Sequence, residues 1–309
     1  MSHVDFLYYH LKEKNIIKRE KYDVVISFYQ FLPSYITNIK SSKHIIWLHG
    51  SVKDYFSGFV GKFKHSYSKK LDKYDHIVVI ADEMKEQLID TLPNIKSSKI
   101  TRIYNPFSFQ DIIDKSTDIT SLLSFEEKLL EDSFICMVAR IDERQKDIKT
   151  LILAYKQLFN KNLIKEKLYL LGDGVSRRAL ENFVKTHKLD KQVFFLGNKA
   201  NPYIWIKKAN LFVLSSKYEG LPTVIIEAMI LGTFVVSSDC ETGPKEILKN
   251  AECGDLFEVG NVEELSQKIN YVLTHSKYRA QKINQASQRV LEFSENLILE
   301  DFRKMLNNL

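Results

Sequence analysis

The chain has 309 residues, of which 44% are hydrophobic and 27% are charged, and its formal net charge is +6 at pH 7. These proportions are typical of a globular protein and exclude a largely disordered chain, while the length favours two domains of roughly 100 to 200 residues each. No apolar run reaches the roughly 18 residues of a membrane-spanning helix, and the three widely spaced cysteines support neither a disulfide framework nor a zinc site.

The excess of positive charge lies in the first third of the chain. Residues 1–110 hold 17 Lys and Arg against 11 Asp and Glu. Three apolar, strand-like runs occupy residues 22–27, 44–48 and 76–80, and a helix is predicted between the second and third runs. Because the start of the chain lacks the basic and apolar regions of a signal peptide, we expect a cytoplasmic protein.

Residues 53–73 combine lysines with aromatic residues at helical spacing, which leaves two interpretations open. The helix packs its aromatic stripe on its own domain and exposes a solvated lysine face, or it lies peripherally against anionic lipid headgroups. Nucleic acid is not an expected partner, since no recognised binding motif accompanies the modest charge. The residues concerned are Lys53, Lys62, Lys64, Lys69, Lys70 and Lys73, with Phe56, Phe59, Phe63 and Tyr67.

The second half of the chain alternates strand-like and helical segments. Alternation of this kind predicts parallel sheets wrapped by helices, and the ligands of such sheets bind beyond the carboxyl ends of the strands. We therefore expect an α/β protein with two doubly wound domains, joined by an acid-rich helical stretch between residues 106 and 133. The predicted strands are 134–138, 167–171, 193–196, 211–214 and 234–236; the predicted helices are 147–160, 175–187, 202–209, 222–231 and 243–250, and residues 262–309 form a helical tail.

Two cationic residues follow the first predicted strand in the second half of the chain. Arg140 stands at the end of the strand and Lys146 follows a short polar loop at the start of a helix. A planar guanidinium and a compact ammonium suit a diphosphate. The chain has no Asp-x-Asp pair, with which enzymes acting on nucleotide diphosphates usually hold magnesium, and the two cations could replace that metal. The alternative interpretation is surface ion pairing with Asp142 or Asp147.

The segment 219–229 places two carboxylates around a loop that turns into a helix. Residues 210–216 are predicted to form a buried strand, so that Glu219 follows its carboxyl end, and Pro222 suits the first turn of a helix that stops at Gly232. The free amides of that first turn suit phosphate. Glu227 in this helix alternatively serves only to stabilise the helix near its N-terminus.

Five segments of the chain share a characteristic order and spacing. They are Arg140 with Lys146-Asp147, Gly172-Asp-Gly174, Val-Phe-Phe-Leu-Gly at 193–197, Glu-Gly-Leu-Pro-Thr-Val-Ile-Ile-Glu at 219–227, and Ser-Asp-Cys-Glu-Thr-Gly-Pro-Lys-Glu-Ile at 238–247. Together they resemble the retaining glycosyltransferases of family 4, most closely the enzymes of bacterial surface polysaccharide or lipid-linked oligosaccharide synthesis. The resemblance is close over residues 130–275 and looser over 20–106. It rests on order and spacing, since a motif such as Gly-Asp-Gly alone is also an ordinary turn.

The resemblance implies the GT-B fold, in which two Rossmann-like domains face each other across a donor cleft. The expected domains are residues 1–125 on the acceptor side, residues 126–285 for the nucleotide-sugar, and a C-terminal helix at 286–309 that packs back toward the first domain. Family members begin with a strand and a Gly-rich loop, whereas this chain starts in a helical stretch at 6–20 and has no glycine before Gly50. The first domain is therefore expected to be incomplete, without its opening strands.

The resemblance also implies roles for individual residues. Arg140 and Lys146 bind the donor diphosphate, Glu227 accepts hydrogen bonds from the ribose, and Glu219 binds hydroxyls of the transferred sugar. His49 lies near the reaction centre, although a lone histidine after a strand is alternatively structural. The implied catalytic residues are His49, Arg140, Lys146 and Glu219, and the implied donor-binding residues are Arg140, Lys146, Gly172, Glu219, Gly220, Leu221, Thr223 and Glu227.

The expected function is metal-independent, cofactor-free transfer of a sugar with retention of configuration. The donor is a nucleotide-sugar, a UDP-hexose or UDP-N-acetylhexosamine, and the acceptor is lipid-linked or a polysaccharide at the inner face of the cell membrane. Two alternatives stay open: a catalytically silent, truncated remnant or nucleotide-binding subunit, and a nucleotide-sugar epimerase on the same fold. Transfer of sugar to an acceptor distinguishes the glycosyltransferase from the silent remnant or binding subunit. Product formation without an acceptor indicates the epimerase.

Overall fold

The computed structural model describes residue 16 and residues 19–28, 37–50, 64–120 and 122–309. The chain forms two compact units, Met1–Tyr104 with Ile298–Leu309 and Asn105–Leu297. Each unit contains a parallel sheet with helices between its strands, so the predicted α/β class is confirmed. The predicted domain limits, after residues 125 and 285, stay a prediction.

The first unit contains a four-stranded parallel sheet in the order β1-β2-β3-β4. Its interior consists of aliphatic side chains of β2 and β3, such as Ile45 and Ile77, both fully buried. The short strand β4 was not predicted. The elements are β1 (Val24–Phe28), β2 (Lys43–Leu48), α1 (Lys64–Leu71), β3 (His76–Val79), α2 (Asp82–Thr91), a 3-10 turn (Ser97–Lys99) and β4 (Ile100–Arg102).

Helix α1 is the described part of the helix that the sequence predicts over residues 53–73. Residues 53–63, which include Phe56, Phe59 and Phe63, lie outside the described residues, as does most of the helical stretch predicted at 6–20. Membrane contact through the basic segment therefore stays a prediction. Within the described part of the chain, no helix combines the length and apolar character needed to cross a bilayer.

The second unit contains a six-stranded parallel sheet in the order β10-β9-β8-β5-β6-β7. The predicted strands are found within two residues of their expected limits, and β10 is an additional strand at one edge. The strands are β5 (Phe134–Val138), β6 (Lys167–Leu171), β7 (Val193–Gly197), β8 (Leu211–Leu214), β9 (Val235–Ser238) and β10 (Asp255–Phe257).

The helices of the second unit follow the predicted pattern with one correction. The helix expected over residues 243–250 ends at Ile247, because Lys249, Asn250 and Ala251 have φ angles of 51°, 53° and 68°, which no α-helix accommodates. The helices are α3 (Phe109–Lys115), α4 (Ser124–Leu129), α5 (Glu143–Lys146), α6 (Ile148–Asn160), α7 (Arg177–Thr186), α8 (Tyr203–Lys208), α9 (Thr223–Ile230) and α10 (Pro244–Ile247).

Residues 262–307 are helical apart from short breaks, as predicted. They form α11 (Val262–Thr274), α12 (Ser276–Arg289), a 3-10 turn (Val290–Phe293) and α13 (Glu295–Asn307), and α13 extends from the second unit into the first. In the first unit, the ring of Phe302 on α13 lies 5.7 Å from the ring of Trp47. Residues 286–309, predicted as one C-terminal helix, instead comprise the end of α12, the 3-10 turn and α13. The packing of this helix toward the first domain stays a prediction.

The topology of the second sheet determines where its functional side chains meet. Strands β5, β8 and β9 are neighbours and run parallel, so their carboxyl ends lie at one edge. The loops 139–147, 215–222 and 239–243 follow these three ends. Segments that are far apart in sequence are thereby brought together.

Candidate functional site

The cation and the carboxylate that the sequence singled out meet at this edge. The ammonium Nζ of Lys146 lies 2.5 Å from Oε1 of Glu219, and the two side chains are only 15% and 8% exposed. The hydroxyl of Ser216 donates to the same carboxylate oxygen at 2.6 Å. Removal of two charges from water is costly unless they pair, and this geometry provides the pairing.

Short-range hydrogen bonds fix the loop that carries Lys146. The helix α5 has four residues and begins after Asp142, whose carboxylate caps it by accepting from the amide of Arg144 at 3.2 Å. Asp147 then adopts a left-handed conformation and accepts from the hydroxyl of Thr150 at 2.8 Å. Ser215 Oγ donates to the carbonyl of Lys146 at 3.0 Å, which joins this loop to the end of β8.

Arg140 is exposed and is held by a neutral side chain. Its Nη2 donates to Oε1 of Gln145 at 2.8 Å, and among the described residues no carboxylate lies within 4.0 Å of its guanidinium. The surface ion pair considered from sequence forms with a different arginine, since Arg144 binds the carboxylate of Asp142 at 2.9 and 3.1 Å. Asp147 pairs with Lys217 at 3.5 Å. Arg140 therefore keeps most of its hydrogen-bonding capacity.

The loop after Glu219 is packed closely against the loop after β9. The hydroxyl of Thr242 donates to the carbonyl of Glu219. Gly243 has a φ of +91°, and a Cβ at this position would lie 2.5 Å from Cδ of Pro222 and 2.7 Å from the carbonyl oxygen of Gly220. Only glycine permits this approach. Helix α9 begins at Thr223, one residue later than predicted, with Pro222 as its N-cap.

Glu227 lies in the middle of α9 and is partly buried. Burial raises the pKa of its carboxyl to about 7, and among the described residues no hydrogen bond or ion pair reaches this carboxyl. Helix-dipole stabilisation acts within the first turn of a helix. Glu227 is the fifth residue of α9 and lies beyond that turn. Sequence reasoning missed Tyr203, whose hydroxyl pKa is raised by burial and, to a lesser extent, by the charge of Glu227.

Gly172 forms part of a cavity of about 470 Å³ at the ends of β5 and β6. Its φ is +126°, and a Cβ there would lie 1.9 Å from the carbonyl oxygen of Ala139. The two loops therefore meet backbone to backbone beside Arg140. Sequence reasoning missed the residues of the β7–α8 loop, which no motif marked. The cavity is lined by Val138, Ala139, Arg140, Leu171, Gly172, Asp173, Asn198, Lys199 and Pro202.

His49 belongs to the first unit, where it follows β2. Its ring is 6.2 Å from that of Trp47 and 5.9 Å from that of Phe28, and burial lowers the pKa of the imidazole. A lowered pKa favours the neutral ring at pH 7. In the described parts of the chain, no group of three or more His, Cys, Asp or Glu side chains is arranged to hold a metal ion.

The matches with known families cover most of the chain. Residues 120–289 match the family described as glycosyl transferases group 1, and residues 3–110 match glycosyltransferase family 4. The chain belongs to the group 1 glycosyl transferases. The family resemblance predicted from the sequence is thus confirmed.

Two curated relatives are 30% and 31% identical to this chain over the aligned residues. An uncharacterized glycosyltransferase of Methanocaldococcus jannaschii is 30% identical over 270 residues, which are 83% of this chain and 62% of the relative. The N-acetylgalactosamine-N,N'-diacetylbacillosaminyl-diphospho-undecaprenol 4-alpha-N-acetylgalactosaminyltransferase of Campylobacter jejuni is 31% identical over 257 residues, 82% of this chain and 66% of the relative. The chain thus spans less than two thirds of the length of these relatives.

Solved structures confirm the predicted GT-B fold class. A glycosyltransferase from Rickettsia africae superposes with a TM-score of 0.80 at 21% identity, covering 98% of this chain and 81% of the other. Alr3699/HepE from Anabaena, solved in complex with UDP, gives a TM-score of 0.80 at 18% identity, covering 97% of this chain and 82% of the other. At these identities the likeness concerns the fold.

Proposed function

We propose that this chain is a retaining glycosyltransferase. It moves a sugar from a UDP-hexose or UDP-N-acetylhexosamine to a lipid-linked or polysaccharide acceptor in bacterial surface glycan synthesis. The observation that carries the proposal is the convergence of Lys146 and Glu219, 73 residues apart in sequence and 2.5 Å apart in space. Gln145 links the loop that carries Glu219 to the exposed Arg140, which forms no ion pair among the described residues. A cationic pair next to a carboxylate suits the diphosphate and the sugar of one donor.

The two cations bind the donor diphosphate and stabilise the leaving nucleotide. The guanidinium of Arg140 provides a planar set of donors, while the ammonium of Lys146 acts as a compact point charge. Charge develops on the β-phosphate as the bond to the sugar breaks, so preorganised cations lower the barrier. In this proposal the cations take the role of a metal ion. Glu219 holds Lys146 in place until the diphosphate arrives.

The carboxylates bind hydroxyl groups of the donor. Glu219 accepts from hydroxyls of the transferred sugar, and Glu227 accepts from the ribose. The partly buried Glu227 has a pKa raised to about 7 by burial, and hydroxyl donors that bind its ionised form supply the hydrogen bonds it otherwise lacks among the described residues. The backbone amides of Gly220, Leu221 and Thr223 approach the phosphates, and Gly172 lines the donor cavity.

The proton of the acceptor hydroxyl passes to the departing phosphate in a front-face displacement. No protein nucleophile is assigned, and Glu219 acts on the sugar hydroxyls. His49, whose imidazole pKa is lowered by burial, contributes a neutral ring near the donor sugar. The chain works in the cytoplasm, peripherally at the inner face of the membrane.

The named activities of relatives support the proposed acceptor. The Campylobacter jejuni relative carries a diphospho-undecaprenol acceptor in its name, and a Salmonella typhimurium relative, 24% identical over 205 residues, is a lipopolysaccharide 1,6-galactosyltransferase. These two names indicate lipid-linked and lipopolysaccharide acceptors, which are the acceptor class to test first.

The test measures donor binding and transfer separately. Calorimetry is run with UDP, and transfer of radiolabelled N-acetylgalactosamine or galactose from UDP to polyisoprenyl-diphosphate-linked sugars is followed by chromatography. We expect UDP binding that Glu227→Ala abolishes, and transfer that Lys146→Ala abolishes. The exposed Lys191→Ala is the matched control and should leave both unchanged.

Each outcome has a distinct meaning. Binding without transfer to any acceptor of this class overturns the enzyme proposal and indicates a nucleotide-binding subunit. Conversion of the donor without an acceptor indicates an epimerase. Absence of nucleoside diphosphate binding overturns both the proposed donor and the proposed site.

A further inference from the structure

Gln145 connects the two loops of the proposed donor site. Its Oε1 accepts from Nη2 of Arg140 at 2.8 Å, and its Nε2 donates to the carbonyl of Tyr218 at 3.3 Å. Its own carbonyl accepts from the amide of Lys217 at 2.7 Å. One side chain therefore joins the arginine that follows β5 to the residue directly before Glu219.

The chemistry of this contact keeps the charge of Arg140 available. A guanidinium has five N–H donors, and the amide oxygen of Gln145 occupies one of them. A carboxylate in the same place would form an ion pair with the arginine and repel a diphosphate. The nearby carboxylate of Asp142 is bound by Arg144 instead. The loop thus orients Arg140 through a neutral hydrogen bond, while the charge of Asp142 acts on Arg140 without an ion pair.

The contact with Tyr218 adds a second constraint. Glu219 is fixed by Lys146 and Ser216, and the carbonyl one residue earlier is bound by Gln145. A shift of the loop that carries Glu219 therefore moves the acceptor of the Gln145 amide, and with it the partner of Arg140. The side chain of Gln145 thus contacts both the guanidinium of Arg140 and the loop that carries the carboxylate of Glu219.

We infer that Gln145 is a positioning residue for the donor diphosphate. It holds the guanidinium of Arg140 through a neutral hydrogen bond and ties its orientation to the Tyr218–Glu219 loop. The inference rests on the proposed function, because it takes the diphosphate as the ligand of Arg140. Gln145 should therefore affect the binding of the phosphates and leave the binding of the nucleoside unchanged.

The experiment compares Gln145→Ala and Gln145→Glu in the full chain. Calorimetry with UDP should show an affinity loss of about tenfold for Gln145→Ala, the size of one hydrogen bond to a charged group. Gln145→Glu should lose more, because its carboxylate both neutralises Arg140 and repels the phosphates. Uridine, titrated by NMR, should bind both variants as it binds the wild type.

Two controls separate positioning from a general structural effect. Gln110→Ala removes an exposed glutamine that also makes a side-chain hydrogen bond, to Asp114 at 2.7 Å, and should leave UDP affinity unchanged. In an Arg140→Ala background, Gln145→Ala should change UDP affinity less than about twofold, since the residue acts through the arginine.

The results that overturn the inference differ from those that overturn the proposed function. UDP affinity that is unchanged in Gln145→Ala and Gln145→Glu refutes the role of Gln145 while the donor site stands. An equal loss for UDP and uridine, or a full effect in the Arg140→Ala background, shows a structural role only and also refutes it. If the wild type binds none of the five common nucleoside diphosphates, the proposed function fails and the inference fails with it.

Discussion

The ammonium of Lys146 and the carboxylate of Glu219 form a nearly buried ion pair at 2.5 Å, although the two residues belong to loops after different strands. The pair exists because β5 and β8 are neighbours in the sheet. It joins the two loops, and the proposed function also gives the two charges a role in donor binding. The two contributions can be separated by substitution.

Lys146→Met should lower the free energy of unfolding by about 3 kcal/mol, because removal of one partner leaves a buried charge uncompensated. The double variant Lys146→Met with Glu219→Gln should recover at least half of that loss, since the hydroxyl of Ser216 can still donate to Oε1 of residue 219. Urea denaturation measures both. Neither variant should transfer sugar. If Lys146→Met is as stable as the wild type, the ion pair contributes nothing to the free energy of unfolding.

Glu227→Gln should make the protein more stable at pH 8 and leave its stability at pH 4.5 unchanged. Burial raises the pKa of Glu227 from 4.5 to about 7, so between these values the native state binds more protons than the unfolded state. Stability therefore falls as pH rises through this window, by up to about 3 kcal/mol for this group. Glutamine removes the titration, and the gain should appear in thermal melts above pH 7.

The same variant should bind UDP more weakly, because an amide accepts hydrogen bonds from ribose hydroxyls less strongly than a carboxylate does. Higher stability together with weaker binding would identify Glu227 as a group kept for its ligand. A Glu227→Gln protein that is less stable than the wild type at pH 8 would contradict the burial argument.

Much of the second unit could be predicted from sequence, because its strands are continuous apolar runs. The runs 134–138, 167–171 and 211–214 coincide with β5, β6 and β8. Strands β4 and β10 have three residues each and lie at sheet edges, where a polar residue such as Thr101 or Asp255 interrupts the apolar pattern. A strand of three residues is too short to be predicted from hydrophobic periodicity or from the length of an apolar run.

The sequence indicated which charged residues belong to the candidate site, but it did not indicate the contacts that they make. Motif spacing marked Arg140, Lys146, Glu219 and Glu227, and the structure brings Lys146 and Glu219 into contact. The partner of Arg140 was not predictable, since it depends on the four-residue helix α5, which places Gln145 beside the guanidinium. Local conformation of that kind depends on tertiary contacts, such as the hydrogen bond from Ser215 Oγ to the carbonyl of Lys146.

His49→Ala should lower the transfer rate at least tenfold while UDP affinity stays within about twofold of the wild type, the difference expected of a group that acts on the sugar step. Radiolabelled transfer assays and calorimetry measure the two quantities. His65→Ala removes an exposed histidine of α1 and is the matched control. Equal loss of transfer in both variants would argue that His49 has no special position.

Gly172→Ala should disrupt the proposed donor site, and it should do so more than Gly232→Ala does. The added Cβ would lie 1.9 Å from the carbonyl oxygen of Ala139, so the backbone before Arg140 must move. We expect a loss of more than about 2 kcal/mol in unfolding free energy and a clear loss of UDP affinity.

Gly232→Ala provides the control, because Gly232 also has a positive φ, +73°, and a Cβ there meets nothing within 4 Å. Gly232 follows the C-cap of α9, where glycine is favoured for its left-handed conformation. Its replacement should cost about 1 kcal/mol, the strain of an alanine in that region, with UDP affinity unchanged. Equal effects of the two substitutions on UDP affinity would show that the contact between Gly172 and Ala139 does not support Arg140.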